Sequence, residues 1–168
     1  MKLVLNREYL LRHLFAAAVF ACLGVWFAYD AFVAYPAMDA AALYEKIEGA
    51  APKKGFALEP FKAQKIKTQR GFAFLALAAF AVVAARLSRS AALKVDFDDK
   101  GFTFRSRRFS YGDIAKIDDS DWEKKGVSRI AVRKDGFSAA IVLDSWHHKG
   151  AGEFHSMAVS QNKEAQSA

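Results

Sequence analysis

The sequence predicts a membrane α-helical hairpin, two transmembrane helices, joined to a small, mostly-β domain that ends in a helix. Three observations carry this: two long uncharged blocks, a switch to period-2 alternation after Ser90, and a helix-spaced apolar face near the end. The 168 residues leave room for one ordinary domain, or for a hairpin with a small domain attached. Apolar residues make up 53% of the chain and aromatics 14%, yet mean hydropathy is only +0.01. The average hides a division, because the apolar side chains are concentrated in the two blocks. Lys and Arg outnumber Asp and Glu 11 to 6 in residues 1–86 but only 14 to 12 in residues 87–168. A basic excess beside apolar segments suits anionic headgroups. No basic stripe dominates the second half, so nucleic acid is not an expected partner.

Residues 1–13 form a basic N-terminal segment with Lys2, Arg7 and Arg12. The first spanning helix is expected over 14–35. Its uncharged core, Leu14 to Tyr29, would span about 24 Å, and the segment to Tyr35 about 33 Å, enough for a hydrocarbon layer. Trp26, Tyr29 and Tyr35 gather at one end as an interfacial belt would. Asp30, at that end, is expected to snorkel or to pair with a basic group of the second helix. The apolar run is too long for a signal-peptide h-region, and Asp30 and Tyr35 stand where a cleavage motif would lie. The segment therefore reads as a retained anchor. Cys22, the single cysteine, sits inside this block as a small packing residue.

Residues 36–70 read as an extramembrane loop. Pro36 and Asp39 mark a helix start, and Leu43, Tyr44 and Ile47 share a face. Gly49 and Pro52 mark its end. This short amphipathic helix is expected along the membrane surface, with PKKGFALEPFKAQKIK as an extended return. The second spanning helix is expected over 71–88. Its uncharged core, Gly71 to Ala85, is only about 22 Å long and is flanked by Arg70 and Arg86, which can snorkel. Its alanines, with Ala16, Ala17, Ala18, Ala21 and Gly24 of the first block, would let two helices approach closely. With two spans both ends share a side, and the basic residues flanking the spans favour the cytoplasm.

A β domain is expected over 90–160. Leu93, Val95 and Phe97 alternate with Lys94, Asp96 and Asp98, and the turn Asp99-Lys100-Gly101 leads to Phe102 and Phe104: a hairpin. A strand is expected to begin at Phe109 and Tyr111, pass Ile114 and Ile117, and end in a solvated acidic loop, Asp118, Asp119, Asp121 and Glu123. Val127–Arg133 and Phe137–Leu143 flank Asp135-Gly136, a second hairpin. Ala151, Phe154, Met157 and Ala158 fall on one face of a closing helix, and residues 161–168 read as a disordered tail.

The stretches VDFDDKGFTFRSRRFSYGDIAKID and WEKKGVSRIAVRKDGFSAAIVLD, with the closing helix, resemble the PH-like (pleckstrin-homology-like) domains of bacterial membrane proteins over about residues 90–160. The resemblance implies a seven-strand barrel capped by a helix, of which five strands are legible. It also implies a bacterial inner-membrane setting and a non-enzymatic binding or assembly module. A small β-sandwich would give much the same pattern.

Arg105, Arg107 and Arg108, with Lys94 and Lys100 nearby, form the best basic patch, suited to an anionic lipid surface or a partner. Asp144, His147, His148 and His155 are the weak candidates for a metal site, and with it a metal-dependent enzyme. No Gly-rich phosphate loop or nucleophile elbow occurs, no serine stands at a recognised spacing from a His and an acid, and no cofactor is implied. The expected function is protein interaction, scaffolding or self-assembly at a membrane, through a protein partner or further copies of the chain. Anionic-lipid sensing is the alternative.

Overall fold

The computed structural model describes residues 1–167. The chain forms two compact units, Met1–Arg12 with Leu87–Ala168, and His13–Arg86. Two helices run through both: α1, Arg7–Ala37, and α3, Leu58–Ala92. Both are long and apolar enough to cross a membrane. Most of their large apolar side chains are open, Phe15 and Phe74 being 73% and 72% exposed.

In the unit His13–Arg86, α1 and α3 run antiparallel. Ala17, Ala31, Ala73 and Ala76 are buried. A Cβ on Gly24 would lie 2.7 Å from Leu77 Cδ2, so glycine sets how closely the helices approach there. Phe27 packs on Phe72, ring centroids 5.4 Å apart, and the Arg70 guanidinium lies 5.1 Å from the Phe32 ring. Asp30 accepts from Trp26 Nε1 at 3.1 Å, within its own helix. Pro36 lacks an N–H and its ring crowds the carbonyl four residues back. The helix meets this by widening into a π turn over Asp30–Ala34, closed by Tyr35 N–H on Asp30 O, and so continues to Ala37.

Helix α2, Ala40–Glu48, is capped by Asp39, whose side chain accepts from Ala41 N–H at 2.9 Å. Its apolar face is turned into protein: Leu43 is fully buried, and Tyr44 packs on Phe56 and Phe61. The expected extended return is a correction. Residues from Leu58 onward are helical, because Pro60 falls in the first turn of α3, where its missing N–H costs nothing. Lys62 Nζ, one turn further, donates to Pro36 O and Met38 O at 3.1 and 2.6 Å.

The other unit is mostly β. A three-stranded antiparallel sheet contains β2 (Val95–Asp98), β3 (Gly101–Phe104) and β4 (Arg107–Phe109) in that order. A second contains β5 (Ile114–Asp121), β6 (Val127–Lys134) and β7 (Phe137–Asp144). A two-stranded ladder joins β1 (Val4–Leu5) to β8 (His148–Lys149). Helix α5, Ala151–Ser167, closes the unit, and a single helical turn, α4 (Trp122–Lys125), links β5 to β6. Alternation does what the sequence requires: Val95 and Phe97 are 1% and 2% exposed while Asp96 and Asp98 face out. Phe97, Phe102, Phe109, Ile114, Ile130, Ile141 and Leu143 form a core that Phe154 of α5 completes, with its ring 5.2 Å from those of Phe97 and Phe102. Each such side chain adds about 1.5–3 kcal/mol through burial.

Four expectations change here. The N-terminal segment belongs to the β unit: Leu3 N–H donates to Val95 O and Phe97 N–H to Met1 O, both at 2.9 Å, and Leu3 is buried in the core. The strand expected through Phe109 and Ile117 is two strands in different sheets. Between them Ser110 and Asp113 form a reciprocal capping box around a 3₁₀ turn, Tyr111–Asp113, which redirects the chain. Asp118, Asp119 and Asp121 lie in β5, not in a loop, because Ile117 and Asp118 pair with Ile130 and Arg129. Finally, the tail is helical through Ser167, because Asn162 is buried and its amide reaches Tyr111 O and Ile114 O at 3.1 and 3.2 Å.

Candidate functional site

The run Arg105-Ser106-Arg107-Arg108 does not form one patch. Arg105 and Ser106 are the two-residue loop between β3 and β4, with φ of 49° and 62°. Both residues are left-handed, as a type I′ hairpin turn needs, although neither is the usual Asn or Gly. Holding them there costs about 1–2 kcal/mol each. Beyond the turn, side chains on β4 alternate. The Arg107 guanidinium lies 4.6 Å from the Phe137 ring, while Arg108 is hydrogen-bonded to the Asp98 carboxylate. Lys134 Nζ joins this second cluster through Arg108 O at 3.1 Å and the Asp113 carboxylate at 3.5 Å.

Arg105 instead shares an open groove of about 570 Å³ with Lys94 and with Arg89, near the end of α3. Ala92, Leu93 and Ala140 supply its apolar surface. Among the described residues none of these three cations has a carboxylate partner, and Asp96 on the groove wall is paired with Lys2 at 3.6 Å. Lys100 lies in the β2–β3 turn, a strand length away from Lys94, with its N–H on Asp98 Oδ1 at 2.9 Å. Arg89 reaches the groove because α3 continues to Ala92, just before Lys94 and β2.

Two carboxylates in this unit are held below the ordinary range. Arg108 does this for Asp98, aided by Lys100 N–H. The Ser120 hydroxyl and N–H do it for Asp118, aided by the charge of Arg129. Burial, reinforced by the negative charge of Asp98, pushes the Tyr111 phenol up to about 12, and its hydroxyl donates to Asp98 O at 2.9 Å.

The candidate metal ligands are dispersed. Asp144 holds the turn after β7, with Oδ1 accepting from Trp146 N–H at 2.9 Å, and Oδ2 lies 3.4 Å from His147 Nε2. His148 is buried with Nε2 on Ser90 O at 2.9 Å, so this nitrogen carries the proton, and its Nδ1 has no hydrogen-bond partner among the described residues. His155 stacks on Trp122 and bonds Asp119 Oδ1 at 2.8 Å, the same oxygen that accepts from Ser128 Oγ at 2.7 Å. Among the described residues no three His, Cys, Asp or Glu side chains converge as a metal donor set.

What sequence spacing missed is a polar chain tying three distant segments. Tyr9 OH lies 3.4 Å from Ser90 Oγ, which is 3.2 Å from His147 Nδ1, and the Tyr9 and His147 rings are 4.0 Å apart. Asn6 completes it by capping α1 through Glu8 N–H and donating to Trp146 O. Ser90 is 9% exposed, with hydroxyl, imidazole and the buried His148 around it. The arrangement works as a tie between the start of α1, the end of α3 and the β7–β8 turn.

A further surface lies along β7, which among the described residues pairs with β6 only. Val142 and Trp146, on and just past this strand, are 48% and 72% exposed. Comparison with known proteins gives no matching family model, no matching curated protein and no matching solved structure.

Proposed function

We propose that this chain is a two-span membrane protein whose β unit is a PH-like interaction module, binding a protein partner or further copies of itself. The free edge of β7, with Val142 and Trp146 beside it, is the observation that carries this reading. An eight-residue edge strand without proline offers backbone donors and acceptors to an added strand, and an exposed Trp is a common anchor of protein interfaces. The two sheets with a closing helix support the PH-like reading, as does the reciprocal Ser110–Asp113 turn. α1 and α3 are the proposed spans, and their exposed apolar side chains support insertion. The basic residues beside the apolar blocks favour the cytoplasmic side of a bacterial inner membrane for both ends.

Native mass spectrometry of the full-length protein, extracted in mild detergent from its own membranes, tests the function. The expected result is an assembly with another protein or with further copies, dissociated by Val142→Glu with Trp146→Ser. An assembly unchanged by that double substitution, or a lone monomer, overturns it.

A further inference from the structure

We infer that the groove between Arg89, Lys94 and Arg105 is a binding site for the headgroup of an anionic phospholipid. The inference rests on the spanning reading of the two helices but not on the β7 surface. Charge supplies the first argument. In this unit Lys2, Arg108, Lys125, Arg129 and Lys134 each have a carboxylate within 4.0 Å, whereas Lys116, Lys149 and Lys163 have none among the described residues but stand singly on three different elements. The three groove cations have none among the described residues either, but they share one groove, reaching it from the end of a helix, the link before β2 and a hairpin turn. Unpaired cations gathered around one concave surface leave a positive potential that an anion can satisfy. Asp96 does not cancel it, since Lys2 lies 3.6 Å away.

The groove surface supplies the second argument. Ala92, Leu93 and Ala140 give it apolar area, which a free inorganic ion would leave uncovered and the glycerol and upper acyl carbons of a lipid would cover. The third is continuity of the chain. Arg89 follows Ala85, the last residue of the second apolar run, by four positions in the same helix, about one turn. A cation one turn beyond a spanning segment stands at the depth of phosphate groups. Arg105 sits in a turn of two non-glycine residues at positive φ, and its guanidinium lies 5.3 Å from the ring of Phe104, another residue of the groove.

The test uses the full-length protein in mild nonionic detergent. Binding of phosphatidylglycerol, phosphatidylcholine and inorganic phosphate is measured separately by native mass spectrometry and by titration. Phosphatidylglycerol is expected to bind at least about tenfold more tightly than phosphatidylcholine, with an affinity that falls as salt is raised. Each basic residue near an anionic headgroup contributes a factor of about five, so Arg89→Gln/Lys94→Gln/Arg105→Gln should weaken phosphatidylglycerol about a hundredfold. The charge-conserving set Arg89→Lys/Lys94→Arg/Arg105→Lys should stay within about fivefold of the wild type on the same scale. The set Lys116→Gln/Lys149→Gln/Lys163→Gln, which removes the same charge from exposed positions elsewhere, should do likewise. Equal loss in this last set, no loss in the glutamine groove set, or equal binding of the two lipids overturns the inference. Displacement of phosphatidylglycerol by millimolar phosphate overturns it in favour of a free anion. Alkaline carbonate separates the two readings. Release of the chain from membranes sinks both, whereas absent lipid selectivity in a carbonate-resistant chain sinks the groove alone.

Discussion

Leu3→Ala tests the least expected feature of the fold, the recruitment of the N-terminal residues by a domain that starts some ninety positions later. Leu3 is 7% exposed and packs in the cluster that contains Val95 and Phe97. Leucine-to-alanine changes in cores cost ~2–5 kcal/mol, and a position at the margin of a sheet belongs in the lower half, about 2–3 kcal/mol. Domains of this size have about 5–15 kcal/mol in total, so the variant folds but is visibly weakened. At roughly 4–8 °C per kcal/mol, the melting temperature of the full-length protein in detergent should fall by about 10–20 °C. Hydrogen exchange localises the effect. Phe97 N–H is bonded to Met1 O, so release of the N-terminal strand should expose it and raise its exchange about 30- to 150-fold. Val4→Ala, in the same segment but 56% exposed, serves as the control and should leave both readouts almost unchanged. If Leu3→Ala shifts the melting temperature by less than about 2 °C and leaves Phe97 exchange unaltered, the N-terminal strand contributes nothing to the unit.

Gly101→Ala should cost more than about 3 kcal/mol, because its φ is +144° and the added Cβ would meet Phe109 O at 2.1 Å; a melting temperature within a few degrees of wild type would contradict this. Tyr111→Phe should lose about 1 kcal/mol at neutral pH with its bond to Asp98 O. The raised phenol contributes stability that is complete below about pH 10 and lost as pH rises through about 12, so this variant should melt with a flatter alkaline limb than wild type. Asp98→Asn should flatten the acid limb. A depressed carboxyl contributes stability above its unfolded pKa of about 4 and loses it as pH falls through the folded value, and parallel melting curves below pH 5 would refute that role. Asn162→Ala should cost about 1–2 kcal/mol and speed amide exchange in the last turns of α5; unchanged exchange there would show that its carbonyl contacts do not hold the helix end.

The hairpins were legible because their signals are local. Val95 and Phe97 alternate with acids, Asp135-Gly136 supplies the turn, and the pairing Val127–Lys134 with Phe137–Asp144 follows directly. The break between β4 and β5 was legible in principle, since Ser110 and Asp113 stand three apart before an apolar residue, the spacing of a capping box. Alternation of Phe109 and Tyr111 masked it, because both are buried on either side of a turn as they would be in one strand. The stretch PKKGFALEPFKAQKIK, expected as an extended return, is helical from Leu58 with Pro60 in its first turn. A proline in a basic stretch suggests extended chain, yet the first turn of a helix accepts it as well, and only the packing of Tyr44 on Phe61 decides between them. The place of residues 1–5 had no local signal at all. Leu3 gains its burial from Val95 and Phe97, and long-range pairing of that kind leaves no periodicity in a five-residue segment.

The basic residues show the same limit in a form that bears on function. Along the chain, Arg105, Arg107 and Arg108 look equivalent, and counting charges cannot separate them. Register does. Thr103 pairs with Arg108 and Asp96 with Thr103, which brings Arg108 onto the face where Asp98 stands. Phe104 pairs with Arg107, which turns Arg107 to the other face, toward Phe137. Arg105 falls in the turn, off both ladders, with its guanidinium 5.3 Å from the Phe104 ring and no carboxylate partner among the described residues. A slip of one residue would exchange these faces and give the Asp98 carboxylate to a different arginine. The cation available to a ligand is therefore chosen by strand pairing and by the positive-φ turn, and the same pairing sets it beside Lys94 and Arg89, which lie 11 and 16 positions earlier.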